Sequence, residues 1–375
     1  MAAEDTPPEP DRVEGAPHPR ETPRLIGQDG AEAAFLEAFN SGRMHHGWLI
    51  TGPRGVGKAT LAWRIARFLL ATPEAEEGGL FGDAPPAPET LDIAADHPVA
   101  RRLLAGSDPG LFHITRTPNE KTGRMRDMIV ADDVRRLNQF LQLSATDGGR
   151  RVVILDCADE MNVQAANALL KMLEEPPART ILLLISHQPS RLLPTIRSRC
   201  RELRLSPLAA SDMAAALAQA DIDAPEDAAA LAELSGGSVG EAVRLIKLGG
   251  LTLYAELVAI IGTLPQLDRA RALKLAEVAA ARGGEDRLDL LFGLTDLLLA
   301  RLARTGAVGA PPEAEAAPGE AEVFARLSST PHLGRAWAEC AAEIGARARH
   351  GRAVNLDPAA LVLDTVFRIQ QTAAG

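Results

Sequence analysis

The segment from residue 52 to 60 has the residue types and spacing of a phosphate-binding loop. It reads Gly52-Pro53-Arg54-Gly55-Val56-Gly57-Lys58-Ala59-Thr60. In the pattern G-x-x-x-x-G-K-[ST], loop N–H groups and the lysine hold phosphates, and the hydroxyl binds Mg²⁺. A strand-like run, Trp48 to Thr51, precedes the loop and a helical pattern follows it, which is the context that the motif requires. Because Ala59 replaces the hydroxyl, the sequence predicts nucleotide binding with weakened metal coordination.

A second acidic element is expected where an apolar strand ends in Asp followed by Glu. The run from Arg151 to Asp156 supplies the strand and the Asp, but the next residue is Cys157. In ATPases of this plan the Glu activates the attacking water, and a thiol cannot replace a carboxylate in that role. Asp159 and Glu160 follow, where acidic side chains favour a helix N-terminus. The sequence therefore predicts a nucleotide-binding fold adapted for something other than turnover.

Composition limits the classes of protein to which the chain can belong. Its 375 residues carry a net charge of −10, which argues against coating nucleic acid through bulk charge. The three cysteines are far apart and form neither a disulfide framework nor a zinc site, which suits a reducing cytoplasm. No apolar run reaches the roughly 18 residues that a membrane span needs. We therefore expect a cytoplasmic protein with no membrane segment.

Apolar runs that alternate with helical patterns predict an α/β fold with a mainly parallel sheet. The expected strands are Trp48 to Thr51, Leu111 to Thr115, Val152 to Asp156, Ile181 to Ser186 and Glu202 to Leu205. Residues 1–20 are acidic and rich in proline, and we expect a flexible tail there rather than a signal peptide. Residues 72–96 are rich in Pro, Gly and Glu and predict an exposed, mobile insertion. After residue 207 only helical patterns remain.

Several further motifs resemble the bacterial clamp-loader ATPases of the AAA+ class. They are Arg24 to Gln28, His46-Gly47, Ala158 to Met161, Ala165 to Pro177, Leu193 to Cys200 and Asn355 to Pro358. The resemblance covers nearly the whole chain beyond the tail. It implies four regions: a tail (1–20), an AAA+ P-loop core with an insertion at about 72–110 (21–207), a small helical lid domain (208–250) and an all-helical collar domain for oligomerisation (251–375).

The resemblance also implies roles for individual residues. Arg199, in Ser198-Arg199-Cys200, corresponds to an arginine finger offered in trans to ATP on a neighbouring subunit; the alternative is a surface arginine in an ordinary salt bridge. Ser186 corresponds to a polar sensor, with a strand-end cap as the alternative. The expected nucleotide-binding residues are Gly52, Pro53, Gly55, Gly57, Lys58, Ala59, Thr60, Asp156 and Ser186.

Departures from the hydrolysing gamma/tau subunits shape the expected function. Where those relatives carry Ser or Thr after the loop lysine, this chain has Ala59. Cys157 stands in place of their Glu, and Gly240 stands in place of their sensor Arg. Many relatives also hold a four-cysteine zinc module after the P-loop helix, and no cysteine lies there, so we predict no zinc. The resemblance thus implies a hydrolytically impaired subunit that can bind ATP or ADP. The resemblance further implies a DNA polymerase III assembly in which the chain would join gamma/tau and delta subunits in a hetero-oligomer that loads the sliding clamp on primed DNA.

Two other functions stay open from the sequence. The chain could be an active clamp-loader ATPase of the gamma/tau kind, against which Ala59, Cys157 and Gly240 speak. It could also be a solitary nucleotide-switched binding module with no clamp loader, and co-purification with a polymerase III subunit discriminates that alternative.

Overall fold

The computed structural model describes residues 9, 12–72, 86–119, 122–142, 149–225, 227–279, 281 and 285–375. It contains a five-stranded sheet of β1 (Gly47–Thr51), β2 (Leu111–Ile114), β3 (Arg151–Leu155), β4 (Thr180–Ser186) and β5 (Arg201–Arg204). The strand order is β2-β3-β4-β1-β5 and every pair is parallel. All five expected strands are present, each shifted by at most one residue. The predicted α/β class with a parallel sheet is confirmed.

Register brings the ends of three strands to the same edge of the sheet. Thr51 at the end of β1 lies opposite Ser186 at the end of β4, and Leu155 of β3 lies opposite Leu184. Because the strands are parallel, the segments that follow β1, β3 and β4 emerge side by side. The phosphate-binding loop, Asp156 and the end of β4 are therefore neighbours, although more than a hundred residues separate the first from the last.

Fifteen α-helices surround or follow the sheet in the described part of the chain. Those of the sheet region are α1 (Asp29–Asn40), α2 (Lys58–Ala71), α3 (Pro98–Leu104), α4 (Ala131–Gln142), α5 (Val163–Glu174), α6 (Pro194–Arg197) and α7 (Ala210–Gln219). The later ones are α8 (Ala228–Ser235), α9 (Val239–Leu248), α10 (Gly250–Gly262), α11 (Arg269–Ala279), α12 (Glu285–Val308), α13 (Glu320–Leu327), α14 (Pro331–Ala353) and α15 (Pro358–Ala374). The absence of strands after residue 207 holds for the described residues.

The inner strands β1, β3 and β4 are buried on both faces, as their continuous apolar sequences require, whereas the edge strand β5 is largely exposed. All seven residues of β4 are buried. One face packs against α4 and α5, where Leu137 and Leu169 are fully buried. On the other face, the Phe35 ring of α1 lies 5.0 Å from the Trp48 ring. This packing fixes the sheet edge from which the phosphate-binding loop and the segments after β3 and β4 emerge.

Part of the segment before α1 is packed against α2. His18 is only 1% exposed, and its ring meets Trp63 of α2 edge-on with centroids 5.8 Å apart. Arg67 of α2 donates to the carbonyl oxygen of Arg20 at 2.7 Å. His18 and Arg20 thus contact α2 where a flexible tail had been expected, whereas residues 12–15 are exposed. Residues 1–8 and 10–11 lie outside the described residues.

The expected insertion is only partly described, because residues 73–85 lie outside the described residues. Its later part contains α3, in which Val99 and Leu103 are buried, and Leu91 is 1% exposed. Asp92 accepts a hydrogen bond at 2.9 Å from Arg64, a buried arginine of α2 that also pairs with Glu32. Leu91 thus belongs to the folded core and the exposed Asp92 pairs with a buried arginine, in a segment that had been expected to be exposed and mobile.

The chain divides into two compact units, residues 1–220 with 238–240, and residues 221–237 with 241–375. In the second unit α12 and α14 pack closely, and a methyl group at Gly334 would lie 2.7 Å from the carbonyl oxygen of Ala303. Glu320 of α13 is fully buried and accepts hydrogen bonds from Tyr254, Arg301 and the backbone N–H of Ala316. The boundaries of the predicted lid and collar domains stay a prediction.

Within the described ranges, no single helix is both long and apolar enough to cross a membrane. One bent pair, α9 with α10 at 75°, meets the requirement by length and composition only.

Candidate functional site

The phosphate-binding loop connects β1 to α2, as predicted. Gly52, Gly55 and Gly57 have φ values of 142°, 78° and 98°, a region of backbone conformation that suits glycine. Gly57 is the N-cap of α2 and no side chain caps this helix end, so the first N–H groups of α2 can donate to an anion. Ala59 and Thr60 follow in the first turn, both half-buried.

Lys58 is folded back onto its own loop. Its side chain is buried, and Nζ donates to the carbonyl oxygens of Gly52, at 2.8 Å, and Pro53. Burial lowers the pKa of Lys58 to about 8, and the nearby charge of Asp156 offsets only part of this effect. The ammonium group that would hold phosphate is thus engaged by two carbonyl groups and poorly solvated.

A turn at residues 238–240 packs on the loop. The backbone N–H of Gly240 donates to the carbonyl oxygen of Gly55 at 3.3 Å. A methyl group at Gly55 would lie 2.2 Å from Ser238 Oγ, and one at Gly240 would lie 3.3 Å from the Cα of Gly55. Position 240 therefore has little room for a long side chain unless the turn moves.

Asp156 and Cys157 follow β3 beside the loop. Asp156 is 7% exposed, and Cys157 adopts the left-handed conformation at φ 62°. The Cys157 Sγ atom lies 3.4 Å from Nε2 of His187, the residue after β4. Burial raises the pKa of the Cys157 thiol well above its usual range, and the nearby Asp156 charge adds to this effect. The group at this position is a protonated thiol, which cannot act as a general base.

His187 was not among the residues that the sequence analysis selected. Burial lowers its pKa to about 4, and the charges of Lys58 and Arg54 lower it further, so the imidazole is neutral at pH 7. Its Nδ1 atom is buried without a hydrogen-bond partner, as is Oγ of the preceding Ser186, which is fully buried. The position directly after a strand that ends at the phosphate edge was the only signal for His187 in the sequence. The Ser186 hydroxyl makes no strand-end cap in this structure.

Two acidic residues connect the loops of this edge, in place of the helix-end role expected for them. The Asp159 carboxylate accepts hydrogen bonds from the backbone N–H groups of His187, at 3.0 Å, and Gln188, at 3.2 Å. Glu160 pairs with Arg54 of the phosphate-binding loop at 3.2 Å and with Arg116 at 3.0 Å. Both residues lie in one turn of 3₁₀ helix, residues 158–160, so this turn joins the ends of β1, β2 and β4.

Arg199 lies at the opposite edge of the sheet. It comes two residues before β5, and a methyl group at Gly47, the first residue of β1, would lie 3.1 Å from the Arg199 carbonyl oxygen. Since a strand rises by about 3.3 Å per residue, the five residues from Gly47 to Gly52 place the phosphate-binding loop about 17 Å away. The structure thus separates Arg199 from the other predicted site residues. Arg199 pairs with Glu174 of α5 at 2.8 Å.

These residues fit a polyphosphate better than they fit its metal ion. Three glycines shape the loop and an uncapped helix end adds donors, but Lys58 must leave the Gly52 and Pro53 carbonyls to reach a phosphate. Ala59 supplies no hydroxyl for Mg²⁺. Among the described residues, no group of three or more His, Cys, Asp or Glu side chains could hold a metal ion.

The part of the chain that contains the sheet and the phosphate-binding loop is similar to known proteins. Residues 27–209 match the family model described as "DNA polymerase III, delta subunit". The chain is 42% identical over 214 residues to the DNA polymerase III subunit delta' of Pseudomonas aeruginosa, covering 57% of this chain and 59% of that protein. The delta' subunit of Escherichia coli is 32% identical over 214 residues, covering 57% and 58%.

A gamma/tau subunit is also similar. The DNA polymerase III subunit gamma/tau of Mycobacterium bovis is 31% identical over 201 residues, which cover 52% of this chain and 30% of that protein. The chain therefore spans about three fifths of the length of the delta' relatives and less of the gamma/tau relative. The match lies over the sheet, the phosphate-binding loop and Arg199. Residues 27–209 are therefore similar to the DNA polymerase III delta-prime subunits.

Proposed function

We propose that this chain is a delta-prime subunit of a cytoplasmic clamp loader and that it serves ATP hydrolysis on a neighbouring subunit rather than on itself. It joins gamma/tau and delta subunits in a hetero-oligomer. That assembly opens the sliding clamp and loads it on primed DNA, and this chain contributes Arg199 to the ATP site of the next subunit.

The observation that carries the proposal is the position of Arg199 relative to the chain's own phosphate-binding loop. The two lie at opposite edges of the sheet, about 17 Å apart by strand length. An arginine side chain cannot bridge that distance, so Arg199 cannot act on phosphate bound at Lys58. A guanidinium is permanently charged and can donate two parallel hydrogen bonds, which suits it to stabilise phosphoryl transfer at another subunit.

The chain's own site lacks the groups that would support hydrolysis. Ala59 offers no Mg²⁺ ligand, and Cys157 is a partly buried thiol whose pKa is raised, so it stays protonated. Gly240 carries no charge and packs against Gly55. ATP or ADP can bind only after Lys58 exchanges two backbone carbonyls for phosphate oxygens, so we propose weak binding without turnover.

The alternative, an active ATPase of the gamma/tau kind, has less support. Gamma/tau proteins do match this chain, but the match to a delta' subunit has the higher identity, 42% against 31%. Cys157 weighs most against the alternative, because no other residue of the described site stands in for the missing Glu beside Asp156. The imidazole of His187 contacts Cys157, and the His187 backbone N–H donates to Asp159.

We also propose that the helices from residue 251 to the end form a collar domain for oligomerisation, and that residues 208–250 form the lid. Support comes from the all-helical second unit, in which α10 to α15 pack together without a strand in the described residues.

Replacement of Arg199 tests the proposal in a complex reconstituted with gamma/tau and delta. Arg199→Ala should leave folding and assembly intact and lower DNA-stimulated ATP hydrolysis and clamp loading. Fingers of this kind are worth roughly 10³ to 10⁵ in rate elsewhere, and a ring with several ATP sites should lose less. Arg199→Lys should rescue poorly, because a lysine cannot donate the paired hydrogen bonds.

The matched control is Arg197→Ala, an exposed arginine two residues earlier in the same motif. It removes the same charge at nearly the same place and should leave both rates unchanged. Wild-type hydrolysis and loading with Arg199→Ala would reduce Arg199 to a structural residue and refute the proposal.

A further inference from the structure

The guanidinium of Arg199 is already occupied within its own chain. Nη1 donates to the carbonyl oxygen of Thr195 at 3.1 Å, and Nη2 pairs with Glu174 Oε1 at 2.8 Å. Both terminal nitrogens therefore have acceptors before any neighbouring subunit is present. To present its terminal edge to a phosphate, Arg199 must give up at least the carboxylate.

The backbone on both sides of this ion pair is fixed. Glu174 is the last residue of α5, and His46 Nε2 donates at 2.9 Å to the carbonyl oxygen of the preceding Leu173. Arg199 donates its own backbone N–H to the Ile196 carbonyl oxygen at 3.1 Å. Only the two side chains can rearrange, so the contact can open and close without a change of fold.

The energetics favour a contact that opens easily. The side chains of Arg199 and Glu174 are 36% and 49% exposed, and exposed ion pairs are worth a factor of about 1.5 to 5 in an equilibrium. The negative end of the α5 helix dipole lies at the same place and also favours a cation there. The pair is strong enough to bias the position of Arg199 and too weak to hold it against a nucleotide phosphate with its greater charge.

We propose that Glu174 is a latch on Arg199, a positioning residue that keeps the guanidinium away from the neighbouring ATP until the subunits close. This inference rests on the proposed function of Arg199. Glu174 competes with the neighbouring ATP for the Arg199 guanidinium. It therefore lowers the rate of ATP hydrolysis more in the resting complex than in the complex activated by clamp and DNA.

Glu174→Gln tests the latch, since it removes the charge and keeps the size of the side chain. In the reconstituted complex without clamp or DNA, this variant should raise ATP hydrolysis by about 1.5- to fivefold. The ratio of activated to resting hydrolysis should fall accordingly. Glu175→Gln is the matched control, because Glu175 is adjacent, also exposed and of the same type; it should leave the resting rate unchanged.

Combination with Arg199→Ala shows whether the effect acts through the finger. Glu174→Gln in the Arg199→Ala background should have the same rate as Arg199→Ala alone. An unchanged or lower resting rate with Glu174→Gln alone would overturn the latch, and so would an increase that persists without Arg199. If Arg199→Ala itself has wild-type rates, the proposed function of Arg199 fails, which is a result distinct from failure of the latch.

Binding gives a second readout that does not require hydrolysis. The affinity of the Glu174→Gln chain for gamma/tau loaded with a non-hydrolysable ATP analogue should rise by a similar factor, about 1.5 to 5. Without nucleotide it should equal the wild-type affinity. Equal affinities of wild type and variant in both conditions would contradict the latch.

Discussion

Replacing Lys58 with Met should stabilise the first compact unit at pH 7, and the gain should shrink as the pH rises. The pKa of Lys58 is lowered from 10.5 to about 8 because the ammonium group is buried. Between these two values the unfolded chain keeps a proton that the folded chain has released. Stability therefore rises with pH across this window, and the full penalty of burying the charge applies at pH 7.

The magnitude follows from the size of the shift. At 1.36 kcal/mol for each pKa unit, the penalty is about 3 kcal/mol at pH 7 and about 1.4 kcal/mol at pH 9.5. Met is similar in length and carries no charge, but it leaves the carbonyl oxygens of Gly52 and Pro53 without a donor, which offsets part of the gain. This loss is the same at every pH, so the change with pH reports on the charge alone. The stability of Lys58→Met relative to the wild type should fall by about 2 kcal/mol between pH 7 and pH 9.5.

Urea unfolding followed by tryptophan fluorescence can measure this difference. Trp48 and Trp63 are buried in the first unit and Trp337 in the second, so a Trp337→Phe background restricts the signal to the first unit. The control is Lys171→Met, an exposed lysine of α5 in the same unit. A stability difference for Lys58→Met that stays constant from pH 7 to pH 9.5 would refute the claim that the buried ammonium is energetically penalised.

Two further predictions concern the packing of the second unit, where Trp337 fluorescence is the probe. Gly334→Ala should lower the free energy of unfolding by about 1 to 3 kcal/mol, because a methyl group there would lie 2.7 Å from the Ala303 carbonyl oxygen. Gly293→Ala in α12 has nothing within 4 Å and should be neutral or stabilising by up to about 1 kcal/mol, so equal effects of the two would contradict the close helix contact. Glu320→Ala should destabilise by about 3 to 5 kcal/mol, because Arg301 and Tyr254 lose a fully buried acceptor. Glu322→Ala, on the exposed side of the same helix, should change stability by less than about 0.5 kcal/mol, and a similar loss for both would contradict the role of the buried network.

Short-range patterns in the sequence determined the elements of the fold. The five strands follow from apolar runs, and the phosphate-binding loop follows from glycine spacing between a strand and a helix. The replacements at Ala59, Cys157 and Gly240 can be recognised from the sequence alone, because each residue stands at a fixed position within a motif. The same patterns missed His18 and Leu91, which are buried although composition predicted a flexible tail and an exposed insertion there, because composition does not show which single side chain packs into a core.

Only the tertiary structure decided which residues meet. The strand order puts the ends of β1 and β4 side by side, and the parallel direction of β5 places Arg199, which precedes it, at the other edge. The contact of Cys157 with His187 and the ion pair of Glu174 with Arg199 join residues from different elements. The burial of Lys58 likewise follows from packing and not from its motif. The physical reason is that motif spacing encodes local backbone geometry, whereas pKa shifts and ion pairs depend on distances across the sheet and on the exclusion of water, which packing alone sets.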